Sequence, residues 1–289
     1  VAIIHSYNSL IVVLFVLLSW TTCNAQQYIT LPPHSTLPSV SSCINEVGNT
    51  PTPETAPWNV DDGTGYNSNL PPEQIPSYFY EYAPGSSELP SSDFANVDGN
   101  YTGSTNDLIR ITACKWGINE NYIRAQAWIE SGWHQDCAEA HGGTGCNEGG
   151  DLNNPAGDPE TPLGIFTGFD NFGGADHYDS WSMLQTKVYY DWMTWPMIEE
   201  SNPFGLDFRF AEMRGCINGD QYNYFNSQSH KAGKNYKEAV ANSISHPKKS
   251  LEYLAYGCID THYSGNWYNG NKDEYLKAFL NSLNNETWN

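Results

Sequence analysis

Basic residues are scarce in this chain: 13 Lys and Arg stand against 33 Asp and Glu, a formal net charge of −20. No Lys/Arg cluster offsets that excess, which excludes nucleic-acid binding by phosphate neutralisation. Long apolar runs are scarce as well. The one candidate, Leu10 to Leu18, is shorter than the ~20 residues a bilayer takes, so no stable membrane insertion is expected once it is removed. Alternating runs long enough to require a substantial sheet are missing. So is the Gly-x-Ser-x-Gly pattern of a nucleophile elbow. The Gly-rich stretch His141-Gly142-Gly143-Thr144-Gly145 lacks the Lys-Ser/Thr of a phosphate loop and reads as a flexible lip. No cofactor is expected.

What is present begins with export. The apolar run leads into Thr21-Thr22-Cys23-Asn24-Ala25, small residues that suit signal-peptidase cleavage after Ala25. Residues 1–25 therefore read as a signal peptide, and the mature chain as secreted, extracellular or periplasmic. A lipid anchor at Cys23 is the rival reading, but it wants an aliphatic residue where Trp20 stands. Cleavage removes Cys23 from the seven cysteines and leaves Cys43, Cys114, Cys137, Cys146, Cys216 and Cys258. An even set in an exported chain reads as disulfides, with fifteen pairings open in principle. Cys137 with Cys146 would close a short Gly-rich loop and Cys216 with Cys258 would tie two late helices, which leaves Cys43 with Cys114. His134, Cys137, His141 and Cys146 also have spacings that tetrahedral zinc tolerates. Export favours the disulfide reading, and no metal is expected. Asn100-Tyr101-Thr102 and Asn285-Glu286-Thr287 would carry sugars only in a host that secretes through an endoplasmic reticulum.

Residues 26–103 differ in kind from the rest. Eleven of the 17 prolines lie here among Ser, Thr, Asn and Gly, without sustained apolar periodicity. Such a composition buries little surface against chain entropy, so the segment reads as a Pro-rich linker or loosely packed extension pinned by Cys43. Its aromatic patch, Tyr78-Phe79-Tyr80-Glu81-Tyr82, could bind sugar but reads first as packing surface. Asn96-Val97-Asp98-Gly99-Asn100 fails as a calcium loop, because Phe94 occupies the first ligand position and no carboxylate closes it.

From residue 104 the pattern turns helical. Asn106-Asp107 precede a run to Trp116 with Ile109, Ala113 and Trp116 at i, i+4, i+7, and Gly117 ends it. Asn119 caps the next helix, on which Ile123, Ala127 and Glu130 share a face while Arg124 and Gln126 point elsewhere. Glu130 is thus a carboxylate at the end of a carboxylate-free stretch, beside Trp128, Ile129 and Trp133. Further helices are expected over 206–217, 236–243, 250–263 and 272–283. Residues 104–289 suffice for one core, and the fold class is mainly α, with long loops between 134 and 180.

Three ordered elements resemble the soluble lytic transglycosylases and goose-type lysozymes of the lysozyme-like superfamily. Trp116-Gly117-Ile118-Asn119 with Glu130-Ser131 is similar to the Glu helix and its entry. Ser180 and Ser182-Met183-Leu184-Gln185 resemble a Ser and a Gly-Leu-Met-Gln stretch, with Ser in place of Gly; Tyr263-Ser264-Gly265 resembles a Tyr-Asn-x-Gly segment without its Asn. The resemblance covers roughly residues 104–280. It implies a lysozyme-like helical domain, a catalytic Glu130, and substrate contacts from Ser182, Met183, Gln185 and Tyr263, with Tyr263 supporting the glutamate. The substrate it implies is peptidoglycan or a related amino-sugar glycan such as chitin or chitosan.

The chemistry stands beside the resemblance. Glycosidic cleavage needs a proton donor for the leaving oxygen and something to meet the oxocarbenium-like centre. A carboxyl with apolar and aromatic neighbours suits the first role, and a substrate N-acetyl group can fill the second. Goose-type lysozymes add Asp residues that position water; Asp151, Asp158 and Asp179 are the candidates here, each also readable as a solvated loop carboxylate. Trp181, Trp192, Trp195, Trp267 and Tyr268 could stack on sugars or pack the core. The acidic chain would be repelled by an anionic wall unless salt screens it or acid protonates it. The alternative function is a catalytically silent lysozyme-like module that binds glycans or builds an extracellular layer.

Overall fold

The computed structural model describes residues 27–52, 67, 69–70, 72–86, 89–133, 138–140, 178–187, 191–194, 197–268 and 274–288. It is mainly helical. In chain order the helices are α1 (Val40–Gly48), α2 (Ser77–Ser86), α3 (Thr105–Trp116), α4 (Glu120–Ser131), α5 (Met197–Glu200), α6 (Asn202–Asn218), α7 (Tyr222–Gln228), α8 (His230–Ser245), α9 (Pro247–Ser264) and α10 (Glu274–Asn285). A small antiparallel sheet in the order β1 (Ala138–Ala140), β2 (Tyr178–Trp181), β3 (Thr186–Lys187) was not expected from the sequence. Its strands are too short to show alternation.

Helix α6 is the axle. Almost every residue from Asn202 to Ile217 is buried, so its apolar residues form no single face. Most of its polar residues find partners inside, as burial requires, although Nε and Nη2 of Arg209 and Nε of Arg214 are buried without one among the described residues. Asp207 accepts from Lys115 Nζ at 2.6 Å, Trp116 Nε1 at 2.7 Å and the backbone N–H groups of Asp98 and Gly99 at 2.8 and 3.0 Å. Arg209 pairs with Glu212 at 2.7 Å. Arg214 donates to the carbonyls of Leu31 and Pro32 at 3.0 and 2.7 Å, and burial lowers its guanidinium to about 10.

Those bonds correct the expectation for residues 26–103. The described part of the segment is packed rather than loose. Cys43, Val47, Leu70, Ile75, Phe79, Ala83, Leu89, Phe94 and Val97 are all buried. All of these but Leu89 belong to the same core cluster as α3, α4 and α6. Phe94 stacks on Phe208 with centroids 4.9 Å apart, and Phe79 meets Phe204 edge-on at 5.3 Å. Among the described prolines, Pro72 opens a short 3-10 helix, Pro84 lies within α2, and Pro76 and Pro90 stand between helical elements. The aromatic patch packs as expected, with Tyr78 and Tyr82 both against Trp192.

Two disulfides match the expected pairing, Cys43–Cys114 and Cys216–Cys258. The first ties α1 to α3 and the second α6 to α9; both fit an oxidising compartment. Cys137, Cys146, His134 and His141 lie outside the described residues, as do residues 1–25.

Burial also makes the fold sensitive to alkali. Tyr101, whose hydroxyl donates to the Pro203 carbonyl at 3.1 Å and accepts from Thr112, has its ionisation pushed well up, first by burial and then by the charge of Asp207. Burial likewise raises Tyr236. A raised folded-state value means full stabilisation below the unfolded tyrosine value of about 10 and progressive loss above it. Denaturant titrations from pH 8 to pH 11 should therefore show stability constant at first and then falling beyond pH 10, by up to about 1.4 kcal/mol per pH unit for each such tyrosine. Unchanged stability at pH 11 would contradict this.

Candidate functional site

Helix α4 delivers Glu130. Asn119 caps it, its side chain accepting from Asn121 N–H, and Gly132 ends it in the left-handed conformation at φ 61°. Trp133 follows at φ 76° and is fully buried, which folds the chain back under the helix end. A bulky residue in that region is costly and persists only where packing fixes it. The result is a carboxylate in the last turn of α4 whose side chain is 12% exposed, set over a rigid stop.

Three other elements converge on it. From α10 the Tyr275 hydroxyl donates to Glu130 Oε1. Because a phenol has one proton, the oxygen then accepts from Gln126 Nε2 at 3.1 Å, which fixes a chain from amide to phenol to carboxylate. Gln126 is fully buried, and the expectation that it points away from the Glu130 side is corrected; Arg124 instead pairs with Glu120 at 3.2 Å and donates to Asn106 at 2.8 Å. Burial first, then the charge and hydrogen bond of Glu130, hold Tyr275 well above the ordinary tyrosine range, so it remains a donor. From α9, His262 Nε2 lies 3.1 Å from the Leu184 carbonyl and 3.5 Å from Glu130 Oε1. A carbonyl only accepts, so that contact places a proton on Nε2. His262 thereby bridges the glutamate to the segment after β2.

That segment is a tight turn. Ser182 and Gln185 both have positive φ, 68° and 50°. Gln185 returns its backbone N–H to the Ser182 carbonyl at 3.0 Å and its side-chain Nε2 to the same oxygen at 2.7 Å. Serine thus adopts the left-handed backbone at the position where the resemblance has glycine, at a cost of roughly 1–2 kcal/mol. The turn rests on α6 at Gly205, where a Cβ would come within 3.1 Å of Ile198 and 3.2 Å of Ser182 Oγ. It is pinned to α4 by Ser131, whose hydroxyl donates to the Met183 carbonyl at 2.9 Å.

The expected site residues therefore divide. Glu130, Ser182, Met183 and Gln185 are brought to one place, but Ser182, Met183 and Gln185 are all buried and shape the turn. Tyr263 is 63% exposed and does not hold Glu130; it stacks on Tyr275 at 4.9 Å with an interplanar angle of 5°. The hydroxyl on the glutamate belongs to Tyr275. Asp179 lies on β2, and Asp151 and Asp158 lie outside the described residues. Trp192 and Trp267 are buried core residues. Sequence reasoning missed Tyr275, Gln126 and His262. His262 adjoins Tyr263 and was within reach of the motif, whereas nothing local distinguishes Tyr275 from other helix aromatics. No protein-family model, curated protein or solved structure matches this chain.

Proposed function

We propose that this chain is an exported glycan-cleaving enzyme acting on the β-1,4 linkage between MurNAc and GlcNAc in peptidoglycan, as a lytic transglycosylase or a lysozyme. Glu130 is its single general acid/base. The observation that carries this reading is the glutamate itself: a carboxylate at a helix end, gripped on Oε1 by Tyr275 and faced by His262. It is joined through Ser131 and His262 to the turn over 182–185.

With Oε1 accepting from Tyr275, the proton of the acid form belongs on Oε2. That proton passes to the glycosidic oxygen as its bond to the anomeric carbon breaks, and the substrate N-acetyl oxygen bonds to that carbon. The charge left on Glu130 meets the Tyr275 donor already in place, which is how a preorganised site stabilises developing charge. The carboxylate then takes a proton from the attacking hydroxyl as its oxygen bonds to the anomeric carbon and the acetamido oxygen leaves that carbon, restoring the N-acetyl group. Attack by the sugar's own 6-hydroxyl gives an anhydro product, and attack by water gives hydrolysis. The exposed ring of Tyr263, held parallel to Tyr275, offers a face for a sugar. The two disulfides support an exported setting. Among the described residues, no helix is long and apolar enough to cross a membrane.

The substrate assignment is tested by incubating the mature protein with purified peptidoglycan, chitin and chitosan and measuring release of soluble fragments. Release from peptidoglycan is expected; binding to one of the three without release from any would establish the silent module instead. The Tyr275 assignment has its own test. Tyr275→Phe removes one hydrogen bond to a charged group, worth about 1.5–3 kcal/mol, and should lower kcat about ten- to hundredfold. KM should change little, while the thermal midpoint should fall, because the buried Gln126 amide loses its acceptor. A fall in KM-dependent binding with kcat intact would show that Tyr275 serves substrate binding instead.

A further inference from the structure

Helices α8 and α9 pack side by side, and on their outer surface lies a polar cleft of about 530 Å³ lined by Asn235, Glu238, Asn242, Lys249, Ser250 and Tyr253. It shares no residue with the Glu130 site. Tyr253 is 50% exposed, and several features hold its ring in place. Tyr268 stacks beneath it with centroids 4.6 Å apart and planes 15° apart, and donates its own hydroxyl to the Tyr253 carbonyl at 2.6 Å. Tyr268 meets the buried Trp267 edge-on at 5.2 Å. This three-ring stack stands over Gly257, where a Cβ would come within 2.4 Å of Trp267 and 2.7 Å of Tyr268, so any larger residue would displace it. Tyr268 also sits at φ 44°, a backbone region that non-glycine residues adopt only when the surroundings impose it.

An aromatic face that is wet on one side and rigid on the other, beside amide, hydroxyl and charged side chains, is the chemistry of pyranose recognition. The C–H face of the sugar covers apolar ring surface, and its hydroxyls meet the exposed polar side chains around it. The lining carries one acid, Glu238, which pairs with Lys234 at 3.8 Å, and one base, Lys249, so little charge is left with which to draw a polyanion. We infer that this cleft is a second carbohydrate-binding site, for neutral pyranose chains, independent of Glu130 and beyond the catalytic reading. The rigid stack serves affinity because little side-chain freedom is lost on binding.

Titration of the full mature chain carrying Glu130→Gln with chitotetraose and with cellotetraose tests this by calorimetry and by NMR shifts of the cleft residues. At least one sugar should bind and perturb Tyr253, Asn235 and Asn242. Tyr253→Ala should weaken that binding at least tenfold, and Tyr253→Phe should restore it. Ser250→Arg, which blocks the cleft without touching the tyrosines, should weaken binding to a similar extent. Binding of chitotetraose alone assigns acetamido recognition, and binding of both assigns the ring hydroxyls. No perturbation of the cleft by either sugar, or undiminished affinity in both Tyr253→Ala and Ser250→Arg, would overturn the proposal. Because cleavage is absent from this experiment, its failure leaves the reading of Glu130 untouched, and failure of that reading leaves this one standing.

Discussion

Glu130→Gln should fold normally and lose glycan cleavage by a factor of at least ~10² to 10⁴, the usual worth of general acid/base catalysis. The substitution keeps the shape of the side chain and its ability to accept from Tyr275 through the amide oxygen, so the contact from α10 survives. What it removes is the transferable proton, which the proposed mechanism uses twice, first leaving for the glycosidic oxygen and then recovered from the attacking hydroxyl. The measurement is the initial rate of fragment release, with circular dichroism and thermal melting to verify the fold. A folded variant turning over at near wild-type rate would remove Glu130 from the chemistry.

The largest effect on stability is expected at Lys115. Its ammonium bridges Asp207 at 2.6 Å and Asp98 at 3.1 Å, and the Asp207 side chain is completely buried. Burial pushes the Asp207 carboxyl up, and the charge of Lys115 is the strongest influence against it. Lys115→Ala leaves that carboxylate in the interior without its counter-charge, a situation that costs about 3–5 kcal/mol. Lys115→Arg should recover part of the loss. The loss should appear as a lower denaturation midpoint in urea, together with loosening of residues 98–99, whose N–H groups bind the same carboxylate. A loss below about 1 kcal/mol would show that Asp207 takes up a proton or finds water at little cost.

The helical signals of the sequence were strong where the chain has caps and periodicity. Asn119 and Gly117 mark helix boundaries where expected; the three helices expected over 206–217, 236–243 and 250–263 extend beyond both limits, and the one expected over 272–283 runs Glu274–Asn285. The N-terminal segment departs from its expected looseness because proline content does not by itself prevent packing. Short helices with one or two anchoring side chains, such as Phe79 and Phe94, are too brief to show periodicity, yet each buries a large ring against α6. For the site, Glu130 and the 182–185 turn were legible because a carboxylate at a helix end and a short motif are local. The second grip on Glu130 was not, since Tyr275 lies 145 residues away in sequence and only packing brings it there. Tyr263 carried the motif, but a Tyr on the exposed side of α9 reaches the glutamate only through the ring of Tyr275.

The central claim is that Glu130 cuts a glycan. Mass spectrometry of the fragments released from purified peptidoglycan by the wild-type protein and by Glu130→Gln tests it most directly. The wild type should generate muropeptides with new MurNAc ends, either anhydro or hydrolysed and distinguishable by the mass of one water, while Glu130→Gln should generate almost none. Intact glycan strands after prolonged incubation with the folded wild type, or equal fragment yields from the two proteins, would contradict the account.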